Sequence, residues 1–208
     1  MQSYSQHGQD TFVYETFFKG RTEPGTFVDV GAYDGVTFSN TLLFERLGWS
    51  GVCIEPLPAA FEKLKATRSS ICVNCAIADS PGTGTLVQID MPSGFEQMYS
   101  GLKANFDERH RKTIEKWGSN LREVTVQIRR LADILAECGV RRVDYLSIDT
   151  EGSEWRILRA FDLGAFAVQV VSVENNYGDV KIHRHMHDRG YRLVKAFGGF
   201  DELYVKTS

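Results

Sequence analysis

The chain has 208 residues, of which 42% are hydrophobic and 25% are charged, a composition typical of a globular protein. Its formal net charge of −3 argues against nucleic acid or an anionic membrane as a partner, because both usually require a concentrated basic surface. Residues 1–10 are polar and contain no apolar stretch of the signal-peptide kind, and three of the cysteines (Cys53, Cys72 and Cys75) lie in apolar, strand-like runs. We therefore expect a cytoplasmic protein with no membrane span.

The first half of the chain alternates strand-like and helix-like segments. Short apolar runs rich in β-branched residues predict strands, and amphipathic runs predict helices. In chain order the predicted elements are strand Thr26–Val30, helix Ser39–Leu47, strand Gly51–Glu55, helix Pro58–Arg68, strand Ile71–Ile77 and strand Thr85–Ile89.

The second half continues the alternation and then ends differently. The predicted elements are strand Glu123–Ile128, helix Leu131–Cys138, strand Asp144–Asp149, helix Ser153–Phe161, strand Val168–Glu174, helix Lys181–Arg189, and the strands Tyr191–Ala196 and Glu202–Lys206. Because the last two strands are joined by a short glycine loop, we expect them to pair antiparallel. The whole pattern predicts an α/β protein with a Rossmann-like, doubly wound, mostly parallel seven-stranded sheet that has an antiparallel C-terminal strand pair.

Residues 91–122 interrupt the alternation. Helix-forming residues are frequent in Ala104–Trp117, so the segment is interpreted either as an inserted helical lid or as a solvated surface helix. The length of the chain suits one domain, residues 1–208, that carries this insertion.

A glycine loop and an acidic residue indicate a nucleoside site. Gly31 and Gly35 follow the first strand, and Glu55 ends the second strand about 20 residues later, the spacing at which a carboxylate accepts hydrogen bonds from a ribose. The loop has neither the G-x-G-x-x-G pattern of dinucleotide enzymes nor the Gly-Lys-Ser/Thr ending of a P-loop. A ligand without phosphates, S-adenosylmethionine, is therefore favoured, and a carboxylate such as Asp29 suits its positive sulfonium.

Polar residues also follow two later strands. Asp149 ends one predicted strand, and Glu174 with Asn175 ends the next, so the three side chains are expected to converge. Oxygen ligands of this kind suit Mg²⁺ or another hard divalent cation. The alternative is that Asp149 binds the methionine part of the cofactor or caps the next helix, and that Glu174 pairs with a surface arginine.

Several motifs in the chain resemble the FkbM-type methyltransferases. They are SQHGQD (residues 5–10), FVDVGAYDG (27–35), SNT (39–41), FERLGW (44–49), GVCIEP (51–56), DYLSIDTEGSE (144–154) and GYRL (190–193). The resemblance implies transfer of a methyl group from S-adenosylmethionine to a hydroxyl of a sugar, glycan or polyketide-type metabolite. It places Asp29, Gly31, Ala32 and Gly35 at the methionine end of the cofactor, Glu55 at the ribose, and Asn74 and Ala76 near the adenine, with Asn40, Pro56 and Asp149 as further cofactor-binding residues.

The resemblance also bears on the metal. Asp149, Glu174 and Asn175 are similar to the magnesium site of catechol O-methyltransferase, although such enzymes commonly have Asp where this chain has Glu174. Asp149 is the first candidate for the group that handles the acceptor proton, with or without a metal. His183 is a second candidate, and His7, His185 and His187 are further ones.

Three other functions are alternatives to an O-methyltransferase. The first is a non-catalytic module that binds an adenosine ligand, and the second is an N-methyltransferase. The third, an oxidoreductase with a nicotinamide cofactor, is disfavoured by the missing G-x-G-x-x-G. The expected partner is a small-molecule or glycan acceptor, and homo-oligomer formation is left open.

Overall fold

The computed structural model describes residues 1–89, 100–106, 108, 111–112 and 120–207. These residues contain eleven strands: β1 (Thr26–Val30), β2 (Ser50–Ile54), β3 (Ile71–Val73), β4 (Ala76–Ile77), β5 (Gly82–Ile89), β6 (Gly101–Leu102), β7 (Leu121–Arg129), β8 (Tyr145–Ile148), β9 (Val170–Glu174), β10 (Tyr191–Phe197) and β11 (Asp201–Lys206). The helices are α1 (Gln9–Val13), α2 (Leu42–Arg46), α3 (Pro58–Thr67), α4 (Leu131–Glu137), α5 (Glu154–Ala160) and α6 (Val180–Asp188).

A seven-stranded sheet forms the centre of the fold, in the order β10-β11-β9-β8-β1-β2-β3. The pairs β1–β2, β2–β3, β1–β8 and β8–β9 are parallel, whereas β11 pairs antiparallel with both β9 and β10. The predicted α/β class, the mostly parallel sheet and the antiparallel C-terminal pair are therefore confirmed. The chain reverses its direction of strand addition between β1 and β8, the kind of position where open α/β sheets bind ligands.

Helices cover both faces of this sheet. Val28 and Val30 of β1 pack in the same buried cluster as residues of α4, α5 and α6, for example Ile134 and Ile157. Phe27 points to the other face, because side chains alternate along a strand, and it packs with residues of α2 and α3. Burial on both faces explains why the central strands are almost continuously apolar.

A second sheet of four strands, β4-β7-β5-β6, lies beside the first and differs from prediction. The run predicted as one strand, residues 71–77, is divided: β3 pairs with β2, whereas β4 pairs with β7 in the second sheet. The break occurs at Asn74, whose side-chain amide donates to the carbonyls of Glu55 and Pro56 at 2.8 and 3.2 Å. Asn74 thereby satisfies backbone groups at the end of β2 and lets the chain change sheets.

Two further segments depart from the expectations. The helix predicted from Ser39 begins at Leu42, because the Ser39 hydroxyl accepts the N–H groups of Thr41 and Leu42 and holds a turn there. Of the predicted insertion, residues 100–106 form β6 and a 3₁₀ turn at Lys103–Asn105, and the interpretation of most of the remainder falls outside the described residues.

The polar N-terminus packs onto the domain. Asp10 is fully buried and accepts hydrogen bonds from the hydroxyls of Ser3 and Ser5 and from the N–H groups of Tyr4 and Thr11. Within the described ranges, no helix is both long enough and apolar enough to cross a bilayer.

Candidate active site

An open cleft lies at the carboxyl ends of β1, β2 and β8, where the order of strand addition reverses. Its empty volume is about 940 Å³, including space open to solvent, which is within the range of small-molecule sites. Eight of the ten residues predicted to bind the cofactor line it: Asp29, Gly31, Ala32, Asn40, Glu55, Pro56, Ala76 and Asp149.

The glycine turn after β1 brings two walls of the cleft into backbone contact. Gly31 has a φ of 92°, in the left-handed region that favours glycine. A Cβ atom on Gly31 would lie 1.7 Å from the carbonyl oxygen of Asp149. Glycine is therefore required here by close packing against the loop after β8 as well as by its backbone conformation.

Glu55 holds the glycine turn in place. Its carboxylate accepts the N–H of Tyr33 at 2.9 Å and the N–H of Leu57 at 2.8 Å, and the residue is only 5% exposed. Burial raises the pKa of Glu55 to about 7, although the two backbone hydrogen bonds act in the opposite direction. A carboxylate can accept more than these two bonds, so Glu55 retains acceptor capacity at the cleft for the ribose contact that the sequence predicts.

Asp29 and Asn40 present oxygen atoms at the same part of the cleft. Oδ2 of Asp29 accepts the Thr41 hydroxyl at 2.6 Å, and the Asn40 amide donates to the Ser147 hydroxyl at 3.1 Å. Oδ1 of Asn40 is buried and has no hydrogen-bond partner among the described residues. A buried acceptor without a donor costs about 1–3 kcal/mol, so this position suits a ligand that donates a hydrogen bond.

Three carboxylates meet beyond the ends of β8 and β9. Oxygen atoms of Asp149, Glu151 and Glu174 all lie within 4.8 Å of one another, and Asp149 and Glu151 also line the cleft. Burial, followed by repulsion from Asp201 and Glu154, raises the pKa of Asp149 to about 8. Burial and repulsion from neighbouring carboxylates also raise the pKa of Glu151 and of Glu174 well above their ordinary value. Mutual repulsion of this kind is relieved by protons or by a cation.

Glu151 was missed by sequence reasoning, which considered only residues directly at the strand ends. Asn175, which was predicted in its place, is engaged elsewhere: its side-chain oxygen accepts the N–H of Asp179 at 2.7 Å and its amide donates to Glu202 at 3.0 Å. To bind a cation, the Asn175 oxygen would have to share its lone pairs with the bond from Asp179. The sequence feature that could have indicated Glu151 is its position two residues after Asp149, on the loop that follows β8.

The histidines considered as bases do not line the cleft. His183 lies 2.9 Å from Glu202 and 3.1 Å from the hydroxyl of Tyr204. Glu202 neighbours Asp201 on β11, and adjacent strand residues face opposite sides of the sheet, so His183 is on the face away from the Asp201 side chain. His183 is therefore not among the cleft-lining residues, and a role for it in handling the acceptor proton stays a prediction.

The other three candidate histidines, His7, His185 and His187, have other contacts. The ring of His7 packs edge-on against Phe200 at 5.6 Å between centroids. His185 is buried, with Nε2 2.9 Å from the carbonyl oxygen of Leu158, and His187 is exposed beside Asp188.

Two predicted cofactor residues act behind the cleft lining. Gly35 has a φ of 81°, and a Cβ there would lie 2.7 Å from the side chain of Arg68. Asn74 bridges the carbonyls of Glu55 and Pro56, as described above. Both residues support the two cleft-forming turns rather than face the cleft.

Backbone strain concentrates at the cleft. Four described non-glycine residues have positive φ: Tyr33 (49°), Phe38 (53°), Glu151 (55°) and Ala167 (44°). All but Ala167 line the cleft. Conformations of this kind cost on the order of 1–3 kcal/mol each and cluster at functional sites, so the strain independently marks this cleft as the site.

A family model described as the methyltransferase FkbM domain matches residues 29–193, which is most of the chain. The chain belongs to the FkbM methyltransferase family.

Two curated relatives carry methyltransferase names. "31-O-demethyl-FK506 methyltransferase FkbM" of Streptomyces tacrolimicus is 28% identical over an alignment 181 residues long, which covers 73% of this chain and 68% of that protein. "Methyltransferase 1" of Beauveria bassiana (strain ARSEF 2860) is 30% identical over an alignment 122 residues long, which covers 53% of this chain and 48% of that protein. Among solved structures, the bifunctional kinase-methyltransferase WbdD is similar with a TM-score of 0.44 and 12% identity, covering 95% of this chain and 37% of that one.

Membership of the FkbM methyltransferase family implies the use of S-adenosylmethionine. The cleft fits this cofactor on three counts. Glu55 offers acceptor capacity for ribose hydroxyls, and Asn40 offers an unpartnered acceptor for an ammonium group. Asp29 supplies a carboxylate that would attract the positively charged end of the cofactor.

Proposed function

We propose that this FkbM-family methyltransferase transfers the methyl group to a hydroxyl oxygen of a sugar, glycan or secondary metabolite, assisted by a divalent cation. The proposal is supported above all by the three carboxylates, Asp149, Glu151 and Glu174, within 4.8 Å of one another beside the cofactor cleft. A sugar hydroxyl is a poor nucleophile near neutral pH unless its proton is removed or its pKa is lowered. A neutral amine needs no such help, so an acidic cluster favours oxygen over nitrogen as the acceptor.

When bound, S-adenosylmethionine supplies a methyl group on a positively charged sulfur that leaves as a neutral thioether. The chain's own residues then act by alignment. Glu55 would hold the ribose, while Asp29 and Asn40 would hold the amino end of the cofactor. Asp149 lies at the junction of the cleft and the carboxylate cluster, which is the position from which a base would take the acceptor proton.

Asp149, Glu151 and Glu174 would hold the cation, which would supply a positive charge that lowers the pKa of a neighbouring hydroxyl. The cluster suits Mg²⁺ or Mn²⁺, because these cations prefer oxygen ligands. The relative from Streptomyces tacrolimicus is named as an O-demethyl-FK506 methyltransferase, which favours a hydroxylated acceptor for this chain also.

The test is transfer of labelled methyl groups from S-adenosylmethionine to matched acceptors. Methyl glycosides and hydroxylated polyketides would be compared with their amino-substituted analogues, each with Mg²⁺ and with EDTA. We expect methylation of hydroxyl acceptors that EDTA suppresses. Glu151→Gln and Glu174→Gln should lower the rate at least roughly tenfold, because even residues that only support metal ligands typically contribute 10–100-fold.

A matched control separates the cluster from general charge effects. Glu123→Gln removes an exposed carboxylate that is paired with Lys103 in the second sheet, and it should leave the rate unchanged. S-adenosylhomocysteine binding, measured by calorimetry on every variant, shows whether the cofactor cleft is intact. If amines were methylated and neither EDTA nor the two cluster variants affected the rate, N-methylation without a metal would replace the proposal.

A further inference from the structure

Arg68, just beyond α3, is a buried cation behind the cleft. Its guanidinium side chain has no exposed area. It donates to Glu45 at 3.0 Å, to the carbonyl of Gly35 at 3.2 Å, and to the hydroxyls of Ser39 and Thr41 at 3.3 and 3.1 Å. Four acceptors around one buried guanidinium fix its position, and three of them belong to the loop that connects the glycine turn to α2.

Thr41 continues this network into the cleft. The Thr41 hydroxyl accepts from Arg68 and donates to Oδ2 of Asp29 at 2.6 Å, and Thr41 itself is fully buried. Asp29 lines the cleft, whereas Arg68 and Thr41 do not. No described residue is found to donate to the other oxygen of Asp29. The hydrogen bond from Thr41 therefore fixes one oxygen of the Asp29 carboxylate and leaves the other oxygen available to a ligand.

Asn40 provides a second, independent observation. It lies on the same loop, between Ser39 and Thr41, and its buried Oδ1 has no partner among the described residues. Fixing Ser39 and Thr41 through Arg68 also fixes the backbone of Asn40. Two acceptor oxygens, from Asp29 and Asn40, are thus presented to the cleft by one buried network.

From this geometry we infer that Arg68 and Thr41 are positioning residues that orient Asp29 and Asn40 toward the amino-acid end of S-adenosylmethionine. The inference rests on the family's use of this cofactor and is independent of the acceptor and of any cation. Neither residue lines the cleft. Both act through the hydrogen bonds described above.

Two ligands that share an adenosine but differ in the tail make the test specific. S-adenosylhomocysteine carries the amino-acid tail, and 5′-methylthioadenosine lacks it. Calorimetry would measure both dissociation constants for the wild-type protein and for Thr41→Val, which keeps the side-chain shape and removes the hydroxyl. This variant loses the hydrogen bonds of the Thr41 hydroxyl to both Arg68 and Asp29. We expect about tenfold weaker binding of S-adenosylhomocysteine and less than about twofold change for 5′-methylthioadenosine.

Thr41→Ser restores the hydroxyl, so it should recover most of the lost affinity for S-adenosylhomocysteine. Arg68→Lys keeps the charge but cannot reach all four acceptors, and it should show the same ligand-selective loss. It also serves as the second variant if Thr41→Val does not fold.

Equal weakening of both ligands would indicate a purely structural network and would overturn the inference. So would unchanged S-adenosylhomocysteine binding in the folded Thr41→Val and Arg68→Lys variants. A wild-type protein that bound neither ligand would overturn cofactor use itself, a result distinguishable from a failure of the positioning role alone.

Discussion

Replacing Glu55 by Gln is expected to stabilise the ligand-free protein at alkaline pH while weakening cofactor binding. Glu55 is 5% exposed and accepts two backbone N–H groups, from Tyr33 and Leu57. Burial raises its pKa from 4.5 to about 7. Ionising this carboxyl inside the folded protein is therefore harder than ionising it in the unfolded chain.

The sign of the pH effect follows from proton binding. Below about pH 4 both states are protonated, and Glu55 has no pH-dependent effect on stability. As pH rises through 4.5 the unfolded chain loses its proton first, so the folded state is progressively destabilised until its own pKa near 7 is passed. This difference between the folded and unfolded pKa corresponds to about 3 kcal/mol at the plateau, most of which develops between about pH 5 and about pH 8.5.

Gln removes this titration but also replaces one acceptor oxygen by a donor, so one of the two backbone hydrogen bonds is lost. That loss costs about 1–2 kcal/mol at every pH. We expect Glu55→Gln to be less stable than, or equal to, the wild type at about pH 5 and more stable by about 1–2 kcal/mol at about pH 8.5.

Urea unfolding at both pH values, without ligand, measures the difference. The same samples, titrated with S-adenosylhomocysteine at the higher pH, should show at least about tenfold weaker binding for the variant, because the ribose loses a charged acceptor. A stability difference that stays constant between the two pH values would refute the shifted pKa of Glu55. Unchanged ligand affinity would refute its contact with the ribose.

Two other substitutions test the packing of the glycine turn and of the N-terminus. Gly31→Ala places a Cβ 1.7 Å from the carbonyl oxygen of Asp149 and should abolish S-adenosylhomocysteine binding or folding. The control is Gly48→Ala, which has a similar φ of 85° and no atom within 4 Å of the new Cβ, and it should cost only about 1–2 kcal/mol in urea unfolding. Equal effects of the two substitutions would contradict the close approach of Gly31 to Asp149. Asp10→Asn leaves fewer acceptors for the four hydrogen bonds that hold residues 3–11 together. It should lower the free energy of unfolding by about 2 kcal/mol. An unchanged urea midpoint would show that these hydrogen bonds do not stabilise the protein.

The central sheet was predictable because its signals are local. Each strand from β1 to β9 in that sheet is a short apolar run, and the glycines and prolines that end these runs also lie close in sequence. The second sheet was not predictable as a separate layer. Whether β4 continues β3 or leaves it depends on the Asn74 amide bonds to Glu55 and Pro56 and on pairing with β7, about 50 residues further on. Sequence periodicity contains no information on such pairings.

The site was predictable where a motif lies on a single turn. Gly31 and Glu55 followed from the spacing between two consecutive strands, and both line the cleft. Arg68 was missed because an arginine after an exposed helix ordinarily lies in solvent, and only the folded loop of residues 35–41 surrounds it with acceptors. Glu151 was missed for a related reason, since its direction depends on a positive φ of 55° that few non-glycine residues adopt.

The cofactor cleft and the carboxylate cluster share one loop, which follows β8. The loop after β8 carries Asp149 and Glu151, and Gly31 packs against the backbone of Asp149 on one side. On the other side β6 packs on the same loop, because a Cβ on Gly101 would lie 2.5 Å from the carbonyl oxygen of Glu151. The Asn105 amide adds a 2.6 Å hydrogen bond to the hydroxyl of Ser153. These two glycine contacts fix the backbone of the loop that carries Asp149 and Glu151, so backbone packing would help to set the spacing between a bound cofactor and these carboxylates. Rigid spacing of this kind is what an in-line methyl transfer requires of the protein, since alignment is its main contribution to the rate.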